Sequence, residues 1–196
     1  MTAFSVVLFI HVLSAIALFI AITLEGFILD RLRSARDREQ LQCSAQASRR
    51  LGMIYGPAFL GLLIGGIYLA WQLHTEAAWI PTALIATLIM AILGGAITGR
   101  KMTKLRKAVV GEPISFDSSL SSARSNSLLI SYGFRAGLAV GIVFLMTTTP
   151  NLITSVVALS VTSILGIVVA LASRGSSTRA NAAGAYADSP PSPPRS

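Results

Sequence analysis

Four titratable side chains stand inside, or at the end of, long apolar stretches of this 196-residue sequence: His11, Glu25, His74 and Arg135. A charge among apolar side chains is costly, so such residues are usually paired or functional. Glu25 and Arg135 carry opposite charges, and a pair between them offsets part of the cost of each. Counted at helical rise, Arg135 lies roughly 10 Å inside its apolar run, and Glu25 about one turn from the end of its own. The two depths are comparable, which predicts an ion pair. Three uses follow: an architectural clamp, an Arg135 that reaches out to lipid headgroups, or a polar site for the passage of a solute or protons.

Imidazoles ligate metals and haem, so His11 and His74 open a haem or copper reading. His11 lies about 12 Å into its run, whereas His74 closes another run about two helical turns away in depth. Axial ligands to one haem must meet at one level. No cysteine or methionine cluster assists them, because Met90 and Met146 stand alone in the sequence. The plainer reading has His11 hydrogen-bonded within the protein, with Ser14 as partner, and His74 at an interface. On that reading no cofactor and no metal is expected. There is no nucleophile triad, no phosphate-binding glycine loop and no HExxH spacing. Nothing positive points to an enzyme, and no residue is assigned a catalytic role.

The elements that must hold these residues are apolar. The chain is 53% hydrophobic and 12% charged, with mean hydropathy +0.69. A soluble domain carries about 25% charged residues. Five segments are long enough to cross about 30 Å of hydrocarbon as helices: residues 4–29, 51–73, 79–98, 128–146 and 152–173. Each must satisfy its backbone internally, and the alternating pattern of a membrane barrel is absent. The expected fold is an all-α, five-span transmembrane bundle. Residues 174–196, rich in Ser, Pro, Ala and Arg, read as a disordered cytoplasmic tail.

Charge placement orients the bundle. Residues 30–50 hold six Lys or Arg, residues 99–127 another six, and the tail three. The remaining connections hold none. With five spans, every basic segment falls on one side, which the positive-inside rule makes cytoplasmic. The N-terminus is then outside, and the localisation is the cell (plasma) membrane, multi-pass. The first run is too long for a signal-peptide core and has no preceding positive charge, so it reads as an uncleaved span. The net charge of +8 does not indicate nucleic acid, since the basic residues sit in short blocks flanking apolar runs. Cys43 is the one cysteine and reads as a reduced cytoplasmic thiol. Trp71 and Trp79 flank one outer loop, where an aromatic belt is expected. The Arg31 to Arg50 stretch lacks Gly and Pro and reads as a charged continuation of the first span.

Packing signals are abundant. Small residues let membrane helices approach closely. Gly61 and Gly65, Gly95 and Gly99, and Gly133, Gly137 and Gly141 recur at four-residue spacing. Gly166 continues a ridge of small residues in the last span. At 100° per residue, Arg135 lies about 160° around its helix from Gly133 and Gly137. The fourth span is then contacted on two sides and reads as central. Pro57 removes a backbone donor from the second span and predicts a bend.

The run Phe9-Ile-His11-Val-Leu-Ser-Ala15 resembles the opening of a bacterial family of integral membrane proteins, domain-of-unknown-function family 2269. Similar too are Pro57, the Gly65-Gly66 pair before Trp71, and Arg135 followed by the run ending Met146-Thr-Thr-Thr-Pro150. Leu18, Phe19 and Ile20 stand where the family often carries a Trp and a Gly. The resemblance covers residues 5–150 and implies a helical protein of the bacterial inner membrane with no established activity. The departure at Leu18, Phe19 and Ile20 weakens the carry-over of a family role to His11, while a more remote similarity to copper-resistance membrane proteins keeps the metal reading open.

Three functions are thus open. The first is a non-enzymatic accessory or scaffold component of the membrane, associating with itself or another membrane protein through the glycine ridges. The second is a small transporter or channel using Glu25 and Arg135. The third is a haem- or metal-binding redox component using His11.

Overall fold

A computed structural model of the chain describes residues 2–35, 37–73, 78–100, 103 and 125–187. The elements among them are all helical: α1 (Ala3–Ser34), α2 (Arg38–Leu73), α3 (Trp79–Ile92), α4 (Asn126–Thr148) and α5 (Leu152–Ala187). A π-helical segment, Leu93–Gly99, continues α3. Four helices are long and apolar enough to cross a membrane: Ala3–Ser34, Gln42–Gln72, Asn126–Thr148 and Leu152–Ser173. The apolar stretch Trp79–Gly95 is shorter than these. Phe9, Ile64 and Ile153 are each more than three-fifths exposed. Many such side chains facing outward would be an aggregation liability in water. Lipid removes that liability, and it also forces the backbone to bond within each helix.

Local chemistry explains where the helices begin and end. Thr2 caps α1, its hydroxyl accepting from the Ser5 amide at 3.4 Å. The chain breaks after Ser34 instead of continuing through the basic segment as one helix. Asp37 is the reason: its carboxylate accepts from the Gln40 amide at 2.8 Å and starts a new helix. The charged segment is therefore helical from Arg38 on, but it opens α2 and does not extend α1. Helix α2 runs through Pro57, whose missing N–H leaves the Met53 carbonyl without its intrahelical partner. At the other end of the molecule, Thr149 closes α4 in the left-handed region, at φ 45°. Its amide donates to the Leu145 carbonyl at 3.0 Å. The Asn151 side chain then accepts from the Thr154 amide at 2.9 Å and opens α5.

Helix α5 also departs from expectation. It runs past Ser173 to Ala187, so residues 174–187 are helical where disorder is expected. Five alanines fall between Ala180 and Ala187, and alanine is the strongest helix former. The Pro-rich end, 188–196, lies outside the described residues. So do His74 and most of the second basic segment.

Helices α1 and α2 pack along each other, as do α4 and α5. Helix α4 touches α1, α3 and α5, and it is enclosed on more sides than its neighbours. The core joins Leu18 and Ile22 of α1, Leu62 of α2, Met90 of α3, and Ile142 and Leu145 of α4.

Candidate functional site

Four helices contribute polar groups to one buried cluster. Glu25 of α1 and Arg135 of α4 are each 4% exposed and form a salt bridge. The bridge uses one guanidinium nitrogen, Nη2, and one carboxylate oxygen, Oε1. The second oxygen, Oε2, accepts from the Tyr55 hydroxyl of α2 at 2.5 Å. From the π-helical segment, Thr98 accepts from Arg135 Nη2 at 3.2 Å. The hydroxyls of Thr98 and Ser131 lie 3.4 Å apart. Arg135 Nε is buried with no hydrogen-bond partner.

Small residues make room for these groups. A Cβ placed on Gly94 would lie 3.2 Å from Arg135 Nη1, so that glycine leaves space for the guanidinium. A Cβ on Gly26 would lie 2.8 Å from the Tyr132 ring, which packs over α1 beside Glu25. The π-helical segment carries Gly94, Gly95 and Gly99 together with Thr98. Such wide turns recur at functional sites, because the extra residue per turn lets part of the backbone shift.

Glu25, Tyr55, Thr98 and Arg135 of the cluster line a cavity of about 370 Å³. Its wall is otherwise apolar, with Leu18, Ile22, Ile28, Leu51, Phe59 and Met90 in it. Ser48, in the basic stretch of α2, lines it as well. Chemically, the arrangement sets an apolar wall beside a neutral pair of fixed charges.

The glycines divide into three groups. Gly133, Gly137, Gly141 and Gly166 form the seam between α4 and α5. A Cβ on Gly137 would meet Ser163 Cα at 2.7 Å, and one on Gly133 would meet Ile167 Cα at 2.9 Å. Gly61 and Gly65 take Ser14 and His11 of α1, and a Cβ placed on Gly65 would lie 3.1 Å from His11 Cβ. Gly95 and Gly99, expected to pack a neighbouring helix, do not. Among the described residues, a Cβ on Gly95 meets nothing within 4 Å, and one on Gly99 meets only the Gly94 carbonyl of its own helix. Both line the cavity instead.

His11 is 7% exposed, and its Nδ1 has no hydrogen-bond partner. The ring lies against the Leu62 backbone, while the expected partner, Ser14, faces Gly61. His11 and Met146, separate in sequence, line the same two apolar hollows of about 200 and 600 Å³. Among the described residues, no three His, Cys, Asp or Glu side chains stand together as a metal site. Cys43 is exposed and unpaired.

Sequence reasoning singles out Glu25 and Arg135 but not Tyr55, Thr98 or Ser131. A Tyr or Thr inside an apolar run carries no desolvation signal as loud as a charge. The Gly94-Gly95 pair next to Thr98 was the available hint. Compared with protein-family models, curated proteins and solved structures, the chain matches none.

Proposed function

We propose that this protein is an integral membrane protein of five spans that holds and passes a small amphiphilic solute at Glu25 and Arg135. The shorter α3 and its π-helical continuation act as the third span. The basic connections lie on the cytoplasmic side, the N-terminus outside, and the host is the bacterial inner membrane. One observation carries the solute reading: a cavity of about 370 Å³ is lined by a buried ion pair. A volume at this scale lies within the range of small-molecule pockets, about 300–1,000 Å³. A purely structural clamp needs no such space beside it.

Gly95→Leu provides the test, since Gly95 lines the cavity and, among the described residues, nothing lies within 4 Å of a Cβ placed there. Flux of small amphiphilic acids, amines and aromatic alcohols is compared in proteoliposomes. At least one class should move faster through the wild-type protein than through Gly95→Leu. Identical flux for all three classes would remove this reading.

A second reading rests on the neutrality of the pair. Glu25 and Arg135 cancel each other, and the cluster ties α1, α2, α3 and α4 together. On that reading the site is architectural and the protein a non-enzymatic accessory component. The tight glycine seam is occupied within the chain, so association would use other lipid-facing surfaces.

A further inference from the structure

We infer that the cavity takes a small monocarboxylate with an apolar body, together with one proton that is held by Glu25. This rests on the solute reading above and adds the charge of the solute to it.

The hydrogen-bonding inventory is lopsided. Arginine offers five N–H donors and no acceptor. Arg135 spends Nη2 on Glu25 and Thr98, and Nε has no partner although the side chain is buried. Both Glu25 oxygens are already engaged, one by Arg135 and one by Tyr55. What the site lacks is an acceptor. A carboxylate is the acceptor that matches the planar edge of a guanidinium with two parallel bonds. The apolar wall supplies the rest of the fit, through Ile22, Leu51, Phe59 and Met90.

Charge balance then requires a proton. The empty site is neutral, one carboxylate against one guanidinium. An added anion would leave a net negative charge in a poorly screened interior, which is expensive. Protonating Glu25 restores neutrality, and Arg135 is freed to pair with the solute. The proton comes from bulk water, bonds to a Glu25 oxygen, and leaves with the solute. Among the described residues, the charged or titratable groups facing Glu25 are Tyr55 from α2 and Arg135 and Tyr132 from α4. From the α3 side it is Thr98 that reaches the cluster. None of the other groups is as well placed to take that proton.

The experiment uses the full chain in phosphatidylcholine nanodiscs, with phenylacetate and phenylacetamide as probes. Calorimetric titration in phosphate and in Tris gives the number of protons taken up per bound molecule. Phenylacetate should bind with uptake of about one proton, and phenylacetamide at least about tenfold more weakly. Glu25→Gln leaves Arg135 as a net positive charge, so phenylacetate should still bind but with no proton uptake. That change in proton number is one a merely structural Glu25 would not produce. Glu25→Gln combined with Arg135→Gln keeps the site neutral and should bind neither probe. Equal binding of the amide, or no proton uptake by the wild-type protein, would overturn the inference and leave the solute cavity standing. No binding of phenylacetate would overturn it as well. The solute reading fails separately, if Gly95→Leu leaves every flux unchanged.

Discussion

The two faces of α4 solve opposite problems. On one face Gly133, Gly137 and Gly141 bring the backbone of α4 against that of α5, and Gly166 and Thr162 answer from the other side. A Cβ on Gly133 or Gly137 would run into the α5 backbone, and among the described residues no ion pair is part of this contact. On the other face Arg135 reaches Glu25, Tyr55 is bonded to that same carboxylate, and Thr98 takes a second bond, with a cavity alongside. The first face is held by dispersion across a close contact. The second is held by charge and hydrogen bonds where the packing is incomplete. Lipid offers helices little hydrophobic incentive to associate, so both devices are needed, and only the looser one leaves space for chemistry.

Breaking the polar face should have the largest effect. Arg135→Met strands a buried carboxylate, and losing one partner of a buried pair costs about 3–5 kcal/mol. Adding Glu25→Gln to it should recover most of that loss, since neither charge then remains. Unfolding in mixed micelles, with sodium dodecyl sulfate as the denaturing component, measures both. A double variant no more stable than Arg135→Met would mean that the pair is not the source of the loss.

The tight face breaks next. Gly137→Ala places a methyl group against backbone atoms of α5, which cannot rotate away. Overpacking of this kind costs about 1–3 kcal/mol. Gly95→Ala is the matched control: the same chemistry, with open space around the new methyl. It should be neutral or stabilising by up to about 1 kcal/mol, from better helix propensity. Equal losses in the two variants would erase the distinction between packing glycines and cavity glycines.

The smallest expected effect sharpens the polar face alone. Thr98→Val keeps the shape and removes the hydroxyl that accepts from Arg135. One such bond to a charged group is worth about 1.5–3 kcal/mol at most, and here Arg135 keeps its bond to Glu25. A loss of about 1 kcal/mol is expected in the same assay, and none in a chain already carrying Arg135→Met.

Much of this was legible before any coordinates. Hydropathy located the helical stretches, since a run of apolar residues is a local property. Arg135 stands 160° around the helix from its glycines by counting alone, and the structure puts Glu25 on one side of α4 and α5 on the other. The break at Asp37 was also within reach, because Asp37 followed by Gln40 is a capping pattern. Other features were not legible. The four-residue spacing of Gly95 and Gly99 is the same as that of Gly133 and Gly137, yet one pair lines a hollow and the other a seam. Tyr55 looks like an ordinary member of an apolar helix until a neighbour is placed beside it.

The sequence by itself determined what each apolar stretch is made of and which residues would be too costly to leave alone. These follow from the free energy of moving one side chain, or one short run of them, out of water. Only the tertiary structure decided which faces meet. It closed the α4–α5 seam, brought Tyr55 and Thr98 to the ion pair, and left the cavity open. Contact between helices depends on shape on both sides at once, and a spacing of small residues describes only one of them.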